Sequence, residues 1–274
     1  MLTPLTSRAF GRRMAGAGLV RRQARGGGGA RSIDAAILAL APYSFVEADY
    51  YSVDGVSGNV AAFLDKVPAG TGIKAIDPTH ALSQATSALQ IALPTADAAL
   101  RSRLSAVFAG ASWYRSTAVK TAWNLLHQGP YTLVYVYTRT GEALYLYSTI
   151  DGTTGAYMQQ SAGGVVLSTF SAGSFAFNSA TATGGVNGKS VYSTYQEGAS
   201  PEFTVGENGV EVANGPSILA PGGDCEDSLV LGASSFGALP MTENWASLVV
   251  FNRVLSAGDL AIVSARNFSK YGVH

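Results

Sequence analysis

Side chains that could do chemistry are few in this 274-residue chain, and their spacing rarely suits it. Three histidines, His80, His127 and His274, stand far apart, without the short intervals that gather ligands on zinc. Cys225 is the single cysteine, so an intrachain disulfide is excluded. A small buried residue is a plainer reading of it than a nucleophile. It lies within Asp224-Cys225-Glu226-Asp227, the densest acidic run. Oxygen ligands at Asp224, Glu226 and Asp227 could hold calcium, and a solvated loop is the alternative. Calcium is the one cofactor the sequence suggests. Glu207 and Glu211 flank a turn, while Glu197 and Glu202 bracket Gly198 to Pro201. Neither pair falls on one strand face, where a general acid and a second carboxylate would have to sit. No Gly-x-Ser-x-Gly elbow occurs. No catalytic residue is assigned, and the chain is not expected to be an enzyme.

Aromatic rings offer a second kind of chemistry, stacking on the apolar faces of sugars. Trp113, Tyr114, Trp123, Tyr157, Tyr192 and Tyr195 are the candidates for carbohydrate binding. A large sheet protein also needs aromatic side chains in its core, so each has a structural reading beside the functional one. Trp245, just before an apolar run, reads as core.

A third chemistry is electrostatic. Arg8, Arg12, Arg13, Arg21, Arg22, Arg25 and Arg31 all precede the first acidic residue, Asp34. The chain as a whole is neutral, with 18 basic and 18 acidic side chains. The seven arginines therefore leave eleven basic against 18 acidic residues in the remainder, +7 on the arm against −7 on the body. Gly26 to Gly29 add backbone entropy that opposes independent folding of the arm. Nucleic-acid binding would use the arginines on phosphates, but Phe10 is the arm's one aromatic available for stacking on single strands. Membrane-surface binding needs an apolar helix face, which Gly11, Gly16 and Gly18 interrupt. A tether to the acidic surface of a protein assembly is the favoured expectation. Ala15 to Val20 is too short for a secretory core, and no run approaches the roughly 18 apolar residues of a membrane span. A transit peptide, Arg-rich and free of acids, is a minor alternative.

The elements that must position these residues are mostly strands. Charged residues make up 13% of the chain, with 32 Gly and 13 Tyr, a composition suited to sheets with tight turns. Ser32 to Ala41 predicts a short helix, capped by Ser32 and stopped by Pro42. Val60, Ala62 and Leu64 alternate before Asp65. Residues 67–103 read as a long loop with short extended pieces and one helical turn between Pro94 and Arg103. Leu104 to Phe108 is a short strand. Tyr131 to Thr138 is the strongest strand, with Tyr131, Leu133, Tyr135 and Tyr137 on one face. Arg139 to Glu142 is expected to turn it into a second strand, Ala143 to Ser148. Tyr157 to Gln160 and Val165 to Phe170 form another hairpin, and Ser190 to Gln196 alternates again. Phe203 to Val205 and Val210 to Val212 form a third hairpin around Asn208-Gly209. Ser228 to Gly232 and Ala246 to Phe251 complete the strands. Ser256-Ala-Gly-Asp259 caps a helix from Ala257 to about Asn267.

The last of these elements carry a resemblance. Phe203 to Asn214 resembles the Asn-Gly hairpin of concanavalin A-like, laminin-G-like jelly rolls. Ser228-Leu-Val-Leu-Gly232 is similar to that family's next strand, and Asn244 to Leu260 to its closing strand, Asn-Arg, Leu-Ser corner and capped helix. Asp65 and Leu104 to Gly110 resemble its early Trp-x-Asp and Val-x-Phe-x-Gly segments, although no Trp precedes Asp65 and Ala109 replaces an Asp. The likeness covers roughly residues 41–274. It implies an all-β fold, a concanavalin A-like jelly-roll sandwich of two antiparallel sheets, with an extended basic N-terminal arm and short peripheral helices. Residues 1–40 then form the arm with its short helix, and residues 41–274 the jelly roll. Such domains occur in lectin-like modules, in hydrolases and in bacteriophage structural proteins. The glucanases of the superfamily carry a Glu-x-Asp-x-(x)-Glu strand that this chain lacks. The expectation is a structural virion protein of a bacteriophage, a decoration, fibre or tail-associated component anchored by its arm. Its partners would be capsid or tail proteins and further copies of itself, in the virion, with no membrane and with nucleic acid as the lesser alternative. The alternative is a carbohydrate-binding adhesion module that recognises a bacterial surface glycan.

Overall fold

A computed structural model describes residues 30–138, 146–149, 154–161, 164–171, 174–181, 188–196, 202–216, 223–234 and 241–274. The chain begins with helix α1 (Ala30–Ala39), then β1 (Ser44–Val53), β2 (Val60–Asp65), β3 (Ala81–Ser83), β4 (Thr95–Asp97), β5 (Arg103–Val107) and β6 (Tyr114–Ser116). Helix α2 (Leu125–Gln128) leads to β7 (Tyr131–Thr138), β8 (Tyr147–Ser148), β9 (Gly155–Ser161), β10 (Gly164–Ser171) and β11 (Ser174–Thr181). Strands β12 (Gly188–Gln196), β13 (Glu202–Glu207), β14 (Val210–Pro216), β15 (Val230–Leu231) and β16 (Asn244–Phe251) follow, and α3 (Ala257–Tyr271) closes the fold.

The architecture is an all-β sandwich whose pairings are antiparallel. Its strands follow one hydrogen-bonded path, β11-β10-β9-β8-β15-β6-β3-β2-β1-β16-β7-β12-β13-β14, with β5 joined to β16 and β4 to β5. The layers are continuous because β1 serves both. Ser44 to Glu47 pair with β16, whereas Tyr51 to Val53 pair with β2 across a register shift. A bulged strand of this kind turns a sheet's corner. At the far ends of the path β11 comes alongside β13 and β14. Between the layers lies the main core, with Phe63, Tyr114, Trp123, Tyr135, Tyr147 and Trp245 fully buried.

A second core lies outside this sandwich. Ile37 from α1 and Leu255, Leu260 and Val263 from the α3 region cover Phe45, Val134, Val249 and Phe251 on the back of β1, β7 and β16. The helix grouped with the arm in the sequence is thus packed into the body. Strand β7 has a core on each face, with Tyr131, Leu133, Tyr135 and Tyr137 inward and Val134 under the helices. All eight of its residues are buried in consequence. Capping holds α3 as expected: the Ser256 hydroxyl accepts from Asp259 N–H at 3.1 Å. Gly272 ends it at φ 80°, a left-handed position suited to glycine. The helix runs on to Tyr271, one turn beyond the expected end.

The expected Tyr131–Ser148 hairpin does not form. Strand β7 has β12 and β16 as neighbours, so neither edge is free, and β8 pairs with β9 and β15 instead. The β9–β10 and β13–β14 hairpins form as expected. Asn208 at φ 51° and Gly209 at φ 80° make the latter a type I′ turn. The connection 139–145 and the arm residues Arg8, Arg12, Arg13, Arg21, Arg22 and Arg25 lie outside the described residues, as does the side chain of Arg31.

Candidate functional site

Two groupings have the composition of hydrolase active sites. In the first, Asp65, His80 and Ser116 form a chain: Asp65 Oδ2 lies 2.9 Å from His80 Nδ1, and His80 Nε2 lies 3.0 Å from Ser116 Oγ. All three are buried. Ser116 Oγ also accepts from Trp123 Nε1–H at 2.9 Å and from Ala118 N–H at 3.1 Å. Both lone pairs are then occupied, so the hydroxyl proton goes to His80 Nε2, and His80 Nδ1–H donates to Asp65. Asp65 is equally saturated, by Ser44 Oγ–H and by the N–H groups of Phe45 and Val67. The oxygen is neither accessible nor unpaired, and the chain acts as a brace between β1, β2, β6 and the turn carrying Trp123.

The second grouping joins Cys225 to His127, with Sγ 3.3 Å from Nδ1. His127 Nε2–H donates to Gly223 O at 2.9 Å, which leaves Nδ1 to accept the thiol proton. Burial pushes the Cys225 thiol up to about 12 and lowers the His127 pKa, so both partners are neutral. A reactive thiolate needs the opposite environment. Cys225 is therefore a packing residue.

The calcium candidates are drawn apart. Asp224 Oδ1 accepts from Asn124 Nδ2–H at 2.6 Å, whereas Asp227 pairs with Arg115 at 2.9 Å and caps the Ser228 N–H. Among the described residues no three His, Cys, Asp or Glu side chains form a group able to hold a metal ion. Asp224 and Asp227 thus have local protein partners.

Most of the aromatic candidates lie inside. Tyr114 and Trp123 are fully buried, Tyr157 nearly so. The Tyr114 hydroxyl is spent on Val60 O (2.7 Å) and Ile91 N–H (3.1 Å). These three present no open ring to a sugar, because the two-layer core needs their area. Trp113 is half-buried and carries the Arg115 guanidinium over its ring at 5.2 Å. The Tyr195 side chain lies outside the described residues.

Tyr192 has a different setting, on the outer face of β12, where the sheet, α3 and the β13–β14 hairpin enclose a groove of about 700 Å³. Val134 and Ser190 lie at its sheet side, Leu260, Ser264 and Phe268 on the α3 wall, and Gly209 and Glu211 on the hairpin. His274 closes one end, its ring stacked on Phe268 with centroids 4.4 Å apart and planes 14° apart. The Arg101 guanidinium also lies over Phe268, at 4.6 Å. Tyr192 is opposite Gly206 in the β12–β13 register, and its ring crosses that glycine. A Cβ on Gly206 would stand 1.9 Å from Tyr192 Cε1, so glycine is what lets the ring lie flat. Burial, helped by the Glu211 charge, raises the Tyr192 pKa and keeps the phenol protonated. Glu211 Oε1 accepts from Asn214 Nδ2–H at 2.6 Å. The groove therefore combines apolar walls with a phenol, a hydroxyl, an imidazole and a carboxylate, the pattern of a small-molecule or oligosaccharide cleft. Of its polar and aromatic members the sequence singled out Tyr192 alone for binding.

The class defined by the fold is an antiparallel all-β sandwich with helices on one outer face. Similar solved structures include CBM40 of the Ruminococcus gnavus IT-sialidase bound to α2,3-sialyllactose, 20% identical, covering 52% of this chain and 86% of that one, TM-score 0.44. A mutant of NanB sialidase from Streptococcus pneumoniae is 14% identical over 57% of this chain and 27% of that one, TM-score 0.44. The binding domain of botulinum neurotoxin DC, solved with rat synaptotagmin II, is 11% identical over 57% and 40%, TM-score 0.43. No protein-family model and no curated protein matches the chain. Each likeness is partial, so the groove has to be read from its own residues.

Proposed function

We propose that this chain is a non-catalytic recognition domain of a bacteriophage particle, which binds a glycan in the outer-face groove and is tethered through its arginine arm. The observation that carries the recognition half is the groove itself. Sugars present apolar C–H faces and radiating hydroxyls, and this cleft offers Tyr192 and the Phe268–His274 stack beside Ser264 and Glu211. The closed Ser116 and Cys225 groupings support a binding role over a catalytic one. The tether half is supported by the charge division, +7 on the arm against −7 on the rest. Helix α1, which follows the arm, is pinned to the body through Asp34, which pairs with Arg266 at 2.7 Å and Lys66 at 3.0 Å.

On a glycan array the purified chain is expected to retain a defined set of oligosaccharides, and Tyr192→Ala to weaken the retained ligand at least tenfold, which corresponds to about 1.4 kcal/mol. An array with no retained glycan, or equal binding by the variant, refutes the recognition half. For the tether half, removing residues 1–29 is expected to abolish incorporation into particles while far-UV circular dichroism of the body is unchanged. Normal incorporation of the truncated chain would sink that half alone.

A further inference from the structure

We infer that the groove selects uncharged oligosaccharides and rejects acidic ones, with Glu211 as the residue that sets this choice. The inference rests on the glycan-binding reading above and adds the chemical class of the ligand. Among the described residues lining the groove, Glu211 carries the formal negative charge, and no lysine or arginine lies beside it. Arg101 lies over the Phe268 ring without lining the groove, and it donates through Nη1 to Ser269 O at 3.3 Å. An acidic sugar would place its carboxylate in a cleft whose described lining holds a like charge and no lysine or arginine, an arrangement that disfavours binding.

A neutral sugar meets suitable partners. Glu211 is exposed, and Oε1 is steadied by Asn214 Nδ2–H at 2.6 Å, which fixes the carboxylate's orientation. An ionised carboxylate has acceptor sites for more than one donor, so it can take hydroxyl protons from a sugar in addition to the Asn214 amide. Such charge-assisted bonds are roughly twice as strong as neutral ones. The Tyr192 phenol lies close enough to feel the Glu211 charge and remains a proton donor. Together the two side chains offer an acceptor and a donor to adjacent sugar hydroxyls, above the apolar wall of Leu260 and Phe268. Glu211 sits on β14 just past the Asn208-Gly209 turn, so its position is set by that hairpin and its substitution leaves both cores untouched.

Titration calorimetry with maltotetraose, chitin tetramer and sialyllactose, on the full chain and two variants, tests this. At least one neutral tetramer is expected to bind the full chain, and sialyllactose to bind at least tenfold more weakly. Glu211→Gln is expected to weaken the neutral ligand about tenfold. Glu211→Lys is expected to reverse the order, so that sialyllactose becomes the better ligand. Sialyllactose binding the unmodified chain as tightly as the neutral sugars overturns the inference. So does a neutral affinity that Glu211→Gln leaves unchanged, and in both cases the glycan-binding reading survives. Failure of all three sugars, with nothing retained on the array, removes that reading and this inference together. Thermal unfolding within about 2 °C of the unmodified chain confirms that the variants report on the groove.

Discussion

Replacing Glu47 by Gln is expected to cost about 3–5 kcal/mol, the cost of breaking a buried ion pair by removing one partner. Glu47 lies on β1 with no exposed surface, at the centre of a six-charge network. It accepts from Lys66, Arg266 and Tyr271, and from Lys270 Nζ at 2.6 Å. Asp34 and Asp49 complete the set: Lys66 reaches each of them at 3.0 Å, and Lys270 reaches Asp49 at 3.1 Å. Three anions thus face three cations, joining α1, β1, the end of β2 and α3. Neutralising Glu47 leaves a surplus cation around a fully buried site, among side chains that are themselves buried or mostly so. Chemical denaturation at neutral pH should show the loss, with a Tm lower by roughly 10 °C for a chain of this size.

The pH dependence has a definite sign. Burial acts to raise the Glu47 pKa, but the Arg266, Lys270 and Lys66 charges outweigh it and hold the carboxyl well below its ordinary value. A depressed carboxylate contributes its full stability above the unfolded pKa of about 4.3 and loses it as pH falls through the folded value. The gap between the native chain and Glu47→Gln should therefore be constant from pH 7 to about 4.5. Below that it should shrink by at most about 1.4 kcal/mol per pH unit. On the basic side burial acts to lower the Lys270 pKa, but the Glu47, Asp49 and Asp34 charges together outweigh it, so that it is raised. That contribution is complete below the unfolded lysine value of about 10.4 and is lost only as pH rises through the higher folded value. A gap absent at pH 7, or undiminished at pH 3, would show that the network does not hold the helices.

This network explains much of what was hard to read in the sequence. Local signals worked where local physics decides: Ser256 and Asp259 marked the start of α3, Asn208-Gly209 marked a hairpin, and β-branched and aromatic residues marked β7. Partner choice is not local. Neighbouring strands in sequence are expected to pair across 139–142, but β7 instead pairs with β12 and β16, far downstream. Helix α3, expected to end near Asn267, runs on to Tyr271 and buries Arg266 and Lys270. They follow Leu260 and Val263 along the same helix face, and that periodicity was the available sign that both cations point inward. The groove was legible only at Tyr192. Glu211, Phe268 and His274 meet it solely because α3 packs across the back of β7 and β12, a placement no short motif encodes. The Asp65, His80 and Ser116 brace is likewise assembled from three distant segments.

Ser116→Ala is expected to destabilise the fold by about 3 kcal/mol without altering any hydrolytic background. The substitution removes one oxygen and orphans three buried partners at once: Trp123 Nε1–H, Ala118 N–H and His80 Nε2. Each unsatisfied buried group costs about 1–3 kcal/mol, and the small cavity left by the hydroxyl cannot restore them all. In a serine hydrolase the outcome would be reversed, because there the nucleophile is exposed and its alanine variant keeps its stability while losing its rate. The distinction follows from the lone pairs. A nucleophilic oxygen must hold one free for the substrate, whereas both on Ser116 are engaged by N–H donors. Two measurements together decide the matter. Denaturation should show the stability loss, and a fluorophosphonate probe should leave Ser116 unlabelled in the native protein. Labelling of Ser116, or an alanine variant as stable as the parent, would mean that the oxygen is released in solution, and the brace would then have to be read as a latent hydrolase site.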